Sequence, residues 1–599
     1  MRMRESRLGR FVVALRELLG RLPVTSWLIG GEEAAVSHTL RQGLLAALLI
    51  MVGSWGVGWL PITPDSLLAT SPMLLPLRTT TGGVVTCTVL LVLGTLLLVR
   101  SWLRLSRRVG GWTAEATATA RTAVWMWSAP LLLTLPIISR DVYSYLAQGR
   151  VLQSGMNPYE TGVSELPGWF MEGADGVWAQ SPSPYGPLFL LIARGIWVLS
   201  GGVPEIGILC FRLLSLAGVL LMVRVIPRLA RAMGSQPAWA LWLCLLNPLS
   251  LLVLLPAAHN DAPMLGLVLL GLWWCLRRRR LAAVVVLTAA VAIKPIAVVV
   301  LPFAMLLTLD RTDSYALRLR EWLVAGAVAV VLLLAAGQAL GVGLGWVTAA
   351  LTAGSAITQA APVGLLGGAV GWVVAEAGGP EADVVASAVH LGFRVLSVLL
   401  VAVMLLRPRL GNPVLWAGYA VALVVACSSV IQPWYLLWVL PLVAVVHVHR
   451  GRLLMLVTLV LTGVVLVSLV GQLSVAQWID TATVQSIAVL VALAYLAFLV
   501  LIDPGTGEHF DLSRPAQRWN LAEGWTSVRA PTIRSRSWSR RELVPDTVPG
   551  PGGSSGAGAD AGADAGADAG TARGSPADGP TDPADHPRPA DHPRPEDPR

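Results

Sequence analysis

Lysine is all but missing from this chain. Lys294 is the single lysine among 599 residues, and the rest of the 44 Lys+Arg side chains are arginine. Charge of either sign is scarce, with Asp, Glu, Lys and Arg together making up 13% of the residues. That excludes a string of solvated soluble domains. Cysteine is sparse too. Cys87, Cys210, Cys244, Cys275 and Cys427 lie in apolar segments at spacings that fit no metal site, so they read as small buried hydrophobes and imply no disulfide framework. The chain has no glycine loop ending in Lys-Ser/Thr, no His-Glu-x-x-His and no Gly-x-Ser-x-Gly. No polar segment is long enough for a cytoplasmic Rossmann domain, which excludes a nucleotide-sugar enzyme of that build. A cleavable signal peptide is not expected, because the first long apolar run starts near Gly43.

What the chain has in quantity is hydrocarbon. Hydrophobic residues make up 55% and the mean hydropathy is +0.67, the composition of an all-α polytopic membrane protein. Runs of roughly 20 apolar residues, the length that crosses about 30 Å of hydrocarbon, recur along most of it. The net charge of +9 is no sign of nucleic-acid binding: the arginines sit mainly between apolar runs, as topology determinants and contacts to anionic lipid headgroups.

Arginine bias orients the runs. Spans are expected at about 43–60, 83–100 and 121–138, and Arg100, Arg104, Arg107 and Arg108 mark the cytoplasmic end of the second. The third then delivers Arg140 and Asp141 to the extracytoplasmic face. Arg224, Arg228 and Arg231 mark the cytoplasmic side again, so of the runs at about 186–200 and 206–226 only the second crosses. Runs at about 238–256 and 262–276 form an outward hairpin whose tip, His259-Asn260-Asp261, shares a face with Asp141. Segment 281–307 has arginines on both flanks and Lys294-Pro295 in its middle, which reads as a re-entrant pair of half-helices. Further spans at about 322–341, 388–406, 412–431, 434–449, 454–471 and 484–502 bring the total to about twelve, with both termini cytoplasmic.

Three regions follow. Residues 1–42 are a cytoplasmic segment in which Leu8, Phe11, Val12, Leu15, Leu18, Leu19 and Leu22 line one face of a basic amphipathic helix. Residues 43–502 form the membrane domain, and 139–187 within it is an extracytoplasmic loop. From 503 to 599, Gly-Ala-Asp repeats and a duplicated Ala-Asp-His-Pro-Arg-Pro unit read as a disordered cytoplasmic tail.

Chemistry is expected at one water-facing ledge. Asp141 stands between Arg140 and the rings of Tyr143 and Tyr145, and Arg140 would keep its carboxylate ionised. Aromatic faces beside a carboxylate suit sugars, and an ionised carboxylate can take the proton of an attacking hydroxyl. Asn157, Tyr159 and Tyr185 extend the polar, aromatic stretch. Lys294 near mid-membrane costs about 2.5–3.5 kcal/mol on insertion scales, so it must be paired, snorkel or face a wet cavity. It reads either as a cation for a lipid-linked phosphate or as the structural partner of a helix C-terminal carbonyl or a nearby acid. Gln432, Trp434 and Tyr435, at the outer end of a span, belong to an aromatic belt or line a substrate cavity. His447 and His449 read as snorkelling helix-end residues, with no metal site expected.

Taken together, Ser139-Arg140-Asp141-Val142-Tyr143-Ser144-Tyr145, Gln148-Gly149, Gly155-x-Asn157-Pro158-Tyr159 and Ser183-x-Tyr185-Gly186-Pro187-Leu188 resemble the polyprenol-phosphomannose-dependent alpha-1,6-mannosyltransferases of actinobacteria, members of the GT-C superfamily. His259-Asn260-Asp261, Lys294-Pro295 and Gln432-Pro433-Trp434-Tyr435 fall where that family carries similar residues, and the likeness covers roughly residues 40–500. The resemblance implies a GT-C-type bundle with Asp141 as catalytic base. Around it, Arg140, Tyr143, Tyr145, Asn157, Tyr159, Tyr185, His259, Asn260, Asp261, Lys294, Gln432, Trp434 and Tyr435 would bind substrate. It further implies a polyprenyl-phosphate-mannose donor, a lipid-anchored, lipomannan-type mannan acceptor, inversion at the anomeric carbon, no metal or other cofactor, and a place in the plasma membrane with the active site extracytoplasmic. A polyprenyl-lipid flippase or secondary transporter would also have broken helices and a buried cation, and a non-catalytic envelope scaffold is a third reading. A transporter gives no reason to gather an acid and several tyrosines in one outer loop.

Overall fold

The apolar runs fold as helices almost without exception. The computed structural model describes Ala14, Glu17 and residues 36–108, 113–310, 313–347, 361–407, 411–470, 472, 481–503, 505–506, 510, 517–520 and 524–527. The chain divides into Met1–Val544 and Pro545–Arg599, and every described residue belongs to the first unit. The amphipathic helix expected within 1–42 and the low-complexity part of the tail lie outside the described residues.

Among the described residues six helices are long and apolar enough to cross a bilayer: Val36–Val57, Thr81–Arg107, Pro204–Met233, Tyr315–Ala339, Ala382–Leu406 and Arg452–Val470. A seventh results if Pro237–Cys244 and Pro248–Leu254, bent by 58° at their junction, form one span. The bend falls at Asn247, whose side-chain oxygen accepts from Ser250 N and restarts the helix. Other expected crossings fold as shorter apolar helices, among them Asp261–Leu276, Pro413–Ala426 and Pro433–Ala444. Segment 281–307 breaks where its sequence suggested. Arg280–Ile293 ends at an extended Lys294, and a 3-10 turn, Pro295–Val299, leads into Val300–Leu306. One apolar helix, Pro362–Glu376, was not expected; it packs on Ala382–Leu406.

Two further features differ from the sequence reading. The stretch 139–187 is no open loop. Asp141–Gln153 is a helix buried along most of its length, and behind it Ala147, Val151, Val163, Leu166, Ala174 and Ala179 make a small core of their own. The acid at its first turn complements the helix dipole, and Val142, Tyr143, Tyr145 and Leu146 all find apolar partners. Order also runs past Asp503, where a disordered tail was expected to start. Asp503 is buried against Arg100, and backbone strands Gln517–Asn520 (β2) and Gly524–Ser527 (β3) continue an antiparallel sheet begun by Val448–Arg450 (β1). His449 therefore sits in β1 opposite Arg518, and His447 is buried just before it, so neither is a snorkelling helix end.

Close backbone packing draws the helices together around one end. A Cβ at Gly218 would lie 2.3 Å from the Ala262 carbonyl carbon, so only glycine lets Pro204–Met233 approach the start of Asp261–Leu276 this closely. Gly186 plays the same part. Its missing Cβ would lie 2.4 Å from Ala292 O, and its N–H donates to Ile293 O at 3.2 Å, which seats Tyr185 beside Lys294.

Candidate functional site

Two strained turns introduce the two acids. Among the described residues three non-glycine residues have positive φ, and two of them, Ile138 (φ 70°) and Ala258 (φ 52°), precede Asp141 and Asp261 by three residues each. Such conformations cost of order 1–3 kcal/mol and persist only where the surroundings over-determine them. The surroundings here are explicit. Ile138 N donates to Gln472 Oε1 at 2.7 Å, and Gln472 Nε2 donates to Val57 O. Arg212 and Ser215, on one stripe of Pro204–Met233 with Gly218, hold both approaches. The Arg212 guanidinium donates to Leu132 O at 3.1 Å and Pro256 O at 2.9 Å, and Ser215 Oγ donates to His259 O at 3.1 Å.

The two turns bring their acids to one histidine. His259 Nδ1 lies 3.3 Å from Asp261 Oδ2 and 3.8 Å from Asp141 Oδ2. Lys294 Nζ reaches both oxygens of Asp261, at 3.0 and 2.9 Å, and the Trp438 indole N–H donates to the same carboxylate. A buried ion pair survives its desolvation only when further hydrogen bonds satisfy it, and Asp261 has them from Trp438 and His259. The Lys294 ammonium also sits 5.2 Å from the Trp438 ring centroid and 5.8 Å from that of Tyr185.

Exposure divides the four. The side chains of Asp141 and Lys294 are 12% and 11% exposed, whereas those of His259 and Asp261 are 0%. A ligand arriving from outside therefore meets Asp141 and Lys294, with His259 and Asp261 sealed behind them.

Aromatic rings close the rest. Tyr145 packs edge-on against Tyr185, Phe189 and Phe211 at 5.3, 4.9 and 5.5 Å between centroids. Trp434 lies 4.3 Å from the His259 ring, and Tyr435 stacks on Trp438 at 4.0 Å. Several buried polar atoms here have no hydrogen-bond partner: Ser144 Oγ, His259 Nε2 and both amide atoms of Asn260.

Not every residue singled out in the sequence comes here. Arg140 does not pair with Asp141. It donates to Gly173 O at 2.8 Å and Ala174 O at 3.1 Å and lies over Phe170, because consecutive residues at a helix start point in different directions. Tyr143 donates to Trp59 O at 2.7 Å, and burial pushes its phenol up, so it stays a neutral donor. Asn157 forms a local turn, accepting from Tyr159 N and donating to Glu160. Tyr159 donates to Tyr185 O at 2.9 Å and so supports the site from behind. Of Gln432, the backbone carbonyl accepts from Tyr435 N. His259, Asn260 and Asp261, read as substrate contacts, are buried behind Asp141 and Lys294.

Sequence reasoning missed Arg212, Ser215, Gln472 and Trp438. Arg212 stands inside an apolar run, the signal that singled out Lys294, and the same rule would have found it. Trp438 carries no such signal among the apolar residues around it. Among the described residues no group of three His, Cys, Asp or Glu side chains is placed to hold a metal ion. What the arrangement can do is present one carboxylate and one ammonium at a buried edge, with a second carboxylate and an imidazole fixing them.

The family model described as alpha-(1->6)-mannopyranosyltransferase, N-terminal domain, matches residues 40–310, the stretch that carries Asp141, His259, Asp261 and Lys294. The chain is similar to alpha-(1->6)-mannopyranosyltransferase A of Mycobacterium tuberculosis, with 36% identity over 321 residues, 52% of this chain and 60% of that protein. A second alpha-(1->6)-mannopyranosyltransferase of the same organism is 32% identical over 473 residues, 69% of this chain and 79% of the relative. Alpha-(1->6)-mannopyranosyltransferase A of Corynebacterium glutamicum is 35% identical over 217 residues, 35% of this chain and 44% of the relative. No solved structure matches the chain.

Proposed function

This membrane protein belongs to the alpha-(1->6)-mannopyranosyltransferase family, and from that membership we propose that it transfers mannose from a polyprenyl-phosphate-mannose donor to a lipid-anchored alpha-1,6-mannan. The reaction takes place on the extracytoplasmic face of the plasma membrane. The donor's lipid tail lies in the bilayer against the bundle, and its phosphate reaches the edge where Asp141 and Lys294 are exposed.

The acceptor's 6-hydroxyl loses its proton to the Asp141 carboxylate as its oxygen bonds to C1 of the donor mannose. The bond from C1 to the phosphate oxygen breaks, and polyprenyl phosphate leaves with the electron pair. Attack from the face opposite the leaving group turns a beta-linked donor into an alpha-linked product. Lys294 directs two of its three N–H bonds at Asp261 and offers the third to the departing phosphate. Asp261 has no such freedom. Its oxygens are spent on Lys294, Trp438 and His259, which leaves Asp141 as the carboxylate able to accept a proton. The observation that carries the reading is this Asp141 carboxylate, freed from Arg140, solvent-reached, and set beside an aromatic wall.

Membranes holding the wild-type protein are incubated with radiolabelled polyprenyl-phosphomannose and a short alpha-mannoside. Label is expected in a longer mannoside, and Asp141→Asn is expected to cut its formation by roughly 10²–10⁴-fold. Label that crosses the bilayer without joining the mannoside would instead support a lipid carrier, and full transfer by the Asn variant would overturn the role given to Asp141.

A further inference from the structure

The geometry points to His259 as a positioning residue that aims Asp141 through its Nδ1–H. The inference rests on the transferase reading and adds a part to it. Both neighbours of Nδ1 are carboxylate oxygens, at 3.3 and 3.8 Å, and a carboxylate only accepts; the nitrogen facing them is therefore the protonated one. Nε2 has no partner among the described residues. The ring itself cannot drift. Trp434 lies against one face, Tyr145 packs edge-on at 6.5 Å, and Ser215 ties the His259 carbonyl to Pro204–Met233.

The titratable groups facing the imidazole are Asp141 and Tyr145 from one helix and Asp261 from another, with Lys294 one step further behind Asp261. Asp261 is itself pinned by Lys294 and Trp438. The order is thus ammonium, carboxylate, imidazole, carboxylate, with only the two ends exposed. Held this way, Nδ1 donates to the fixed acceptor, Asp261, at 3.3 Å and draws the free one, Asp141, by charge across 3.8 Å. It keeps Asp141 in the rotamer that faces the acceptor sugar, and the sealed pair behind it supplies the fixed point.

Two substitutions separate this role from packing. His259→Asn keeps a neutral N–H donor near the Nδ1 position and gives up ring volume, whereas His259→Phe keeps the ring against Trp434 and gives up the donor. Transfer of radiolabelled mannose is measured per folded molecule, with the folded fraction taken from size exclusion in detergent. His259→Phe is expected to lower kcat by about 10²-fold, the loss that misplacement of about 1 Å brings, with KM little changed. His259→Asn is expected to recover most of that loss. The reverse ranking, or equal loss in both, would overturn the proposal, since volume and not the donor would then matter. Because each variant gives up something of the ring site, their ranking reads the role despite a stability loss common to both. Absence of transfer by the wild type would count against the reaction itself, a different outcome from a wrong ranking of the two variants.

Discussion

Two buried polar clusters sit in this bundle, and they are finished to different degrees. Around Arg100 every group is answered. Asp503 accepts from Arg100 Nε at 2.8 Å, from Arg100 Nη2 at 3.2 Å and from Gly505 N at 3.0 Å, while Arg100 Nη1 goes on to Gln42. Around Asp141, by contrast, Ser144, Asn260 and His259 keep polar atoms without partners, although all three residues are buried. An unmet buried donor or acceptor costs about 1–3 kcal/mol. A structural cluster such as that of Arg100 has no reason to bear that cost, and a site that must receive a ligand does. The contrast separates a lock from a socket.

The strongest way to break the contrast is to remove charge from each. Asp141→Asn should cut mannose transfer by roughly 10²–10⁴-fold and leave the melting temperature in detergent nearly unchanged. Arg100→Met should do the opposite, costing about 3–5 kcal/mol of stability by stranding Asp503, with transfer per folded molecule retained. If Arg100→Met instead lost transfer at normal stability, the Arg100 cluster would have to be redrawn as functional. A milder probe is Trp438→Phe, which withdraws one N–H from the Asp261 carboxylate. It should cost about 1.5–3 kcal/mol in thermal unfolding, as loss of a hydrogen bond to a charged group does. The finest comparison is hydroxyl against hydroxyl. Thr506→Val removes a hydroxyl that donates to Leu499 O at 2.7 Å and should lower stability by about 1 kcal/mol. Ser144→Ala removes one that meets nothing, so its melting temperature should hold or rise; a clear fall would mean that the Ser144 hydroxyl has a partner after all.

Ionisable residues set in apolar sequence made much of the site legible. Asp141, Lys294 and the His259-Asn260-Asp261 tip stood out because charge in a hydrocarbon-like stretch needs a reason, and arginine bias put the first and last of these on one face. The structure brings them together. Adjacency in sequence misled in the case of Arg140, whose side chain leaves in a direction of its own from that of Asp141. The ion pair between Arg100 and Asp503 links positions 403 residues apart, a distance at which an arginine after a span looks like any topology signal. The helix at Asp141–Gln153 was hidden because a stretch carrying Asp, Tyr, Ser, Gln and Arg has the composition of a polar loop even where it is buried on nearly every side. Trp438 was hidden by its surroundings: indole among Leu and Val looks like filling until its N–H is placed.

Arg212 fixes a time as well as a place. One guanidinium fastens the carbonyls of Leu132 and Pro256, which lie on either side of it in the chain. Synthesis supplies the first turn before that arginine and the second after it. A growing chain released early would therefore hold Asp141 without its counterpart and without the tether that keeps Ile138 in place. The site is thus complete only where Leu132, Arg212 and Pro256 have come together.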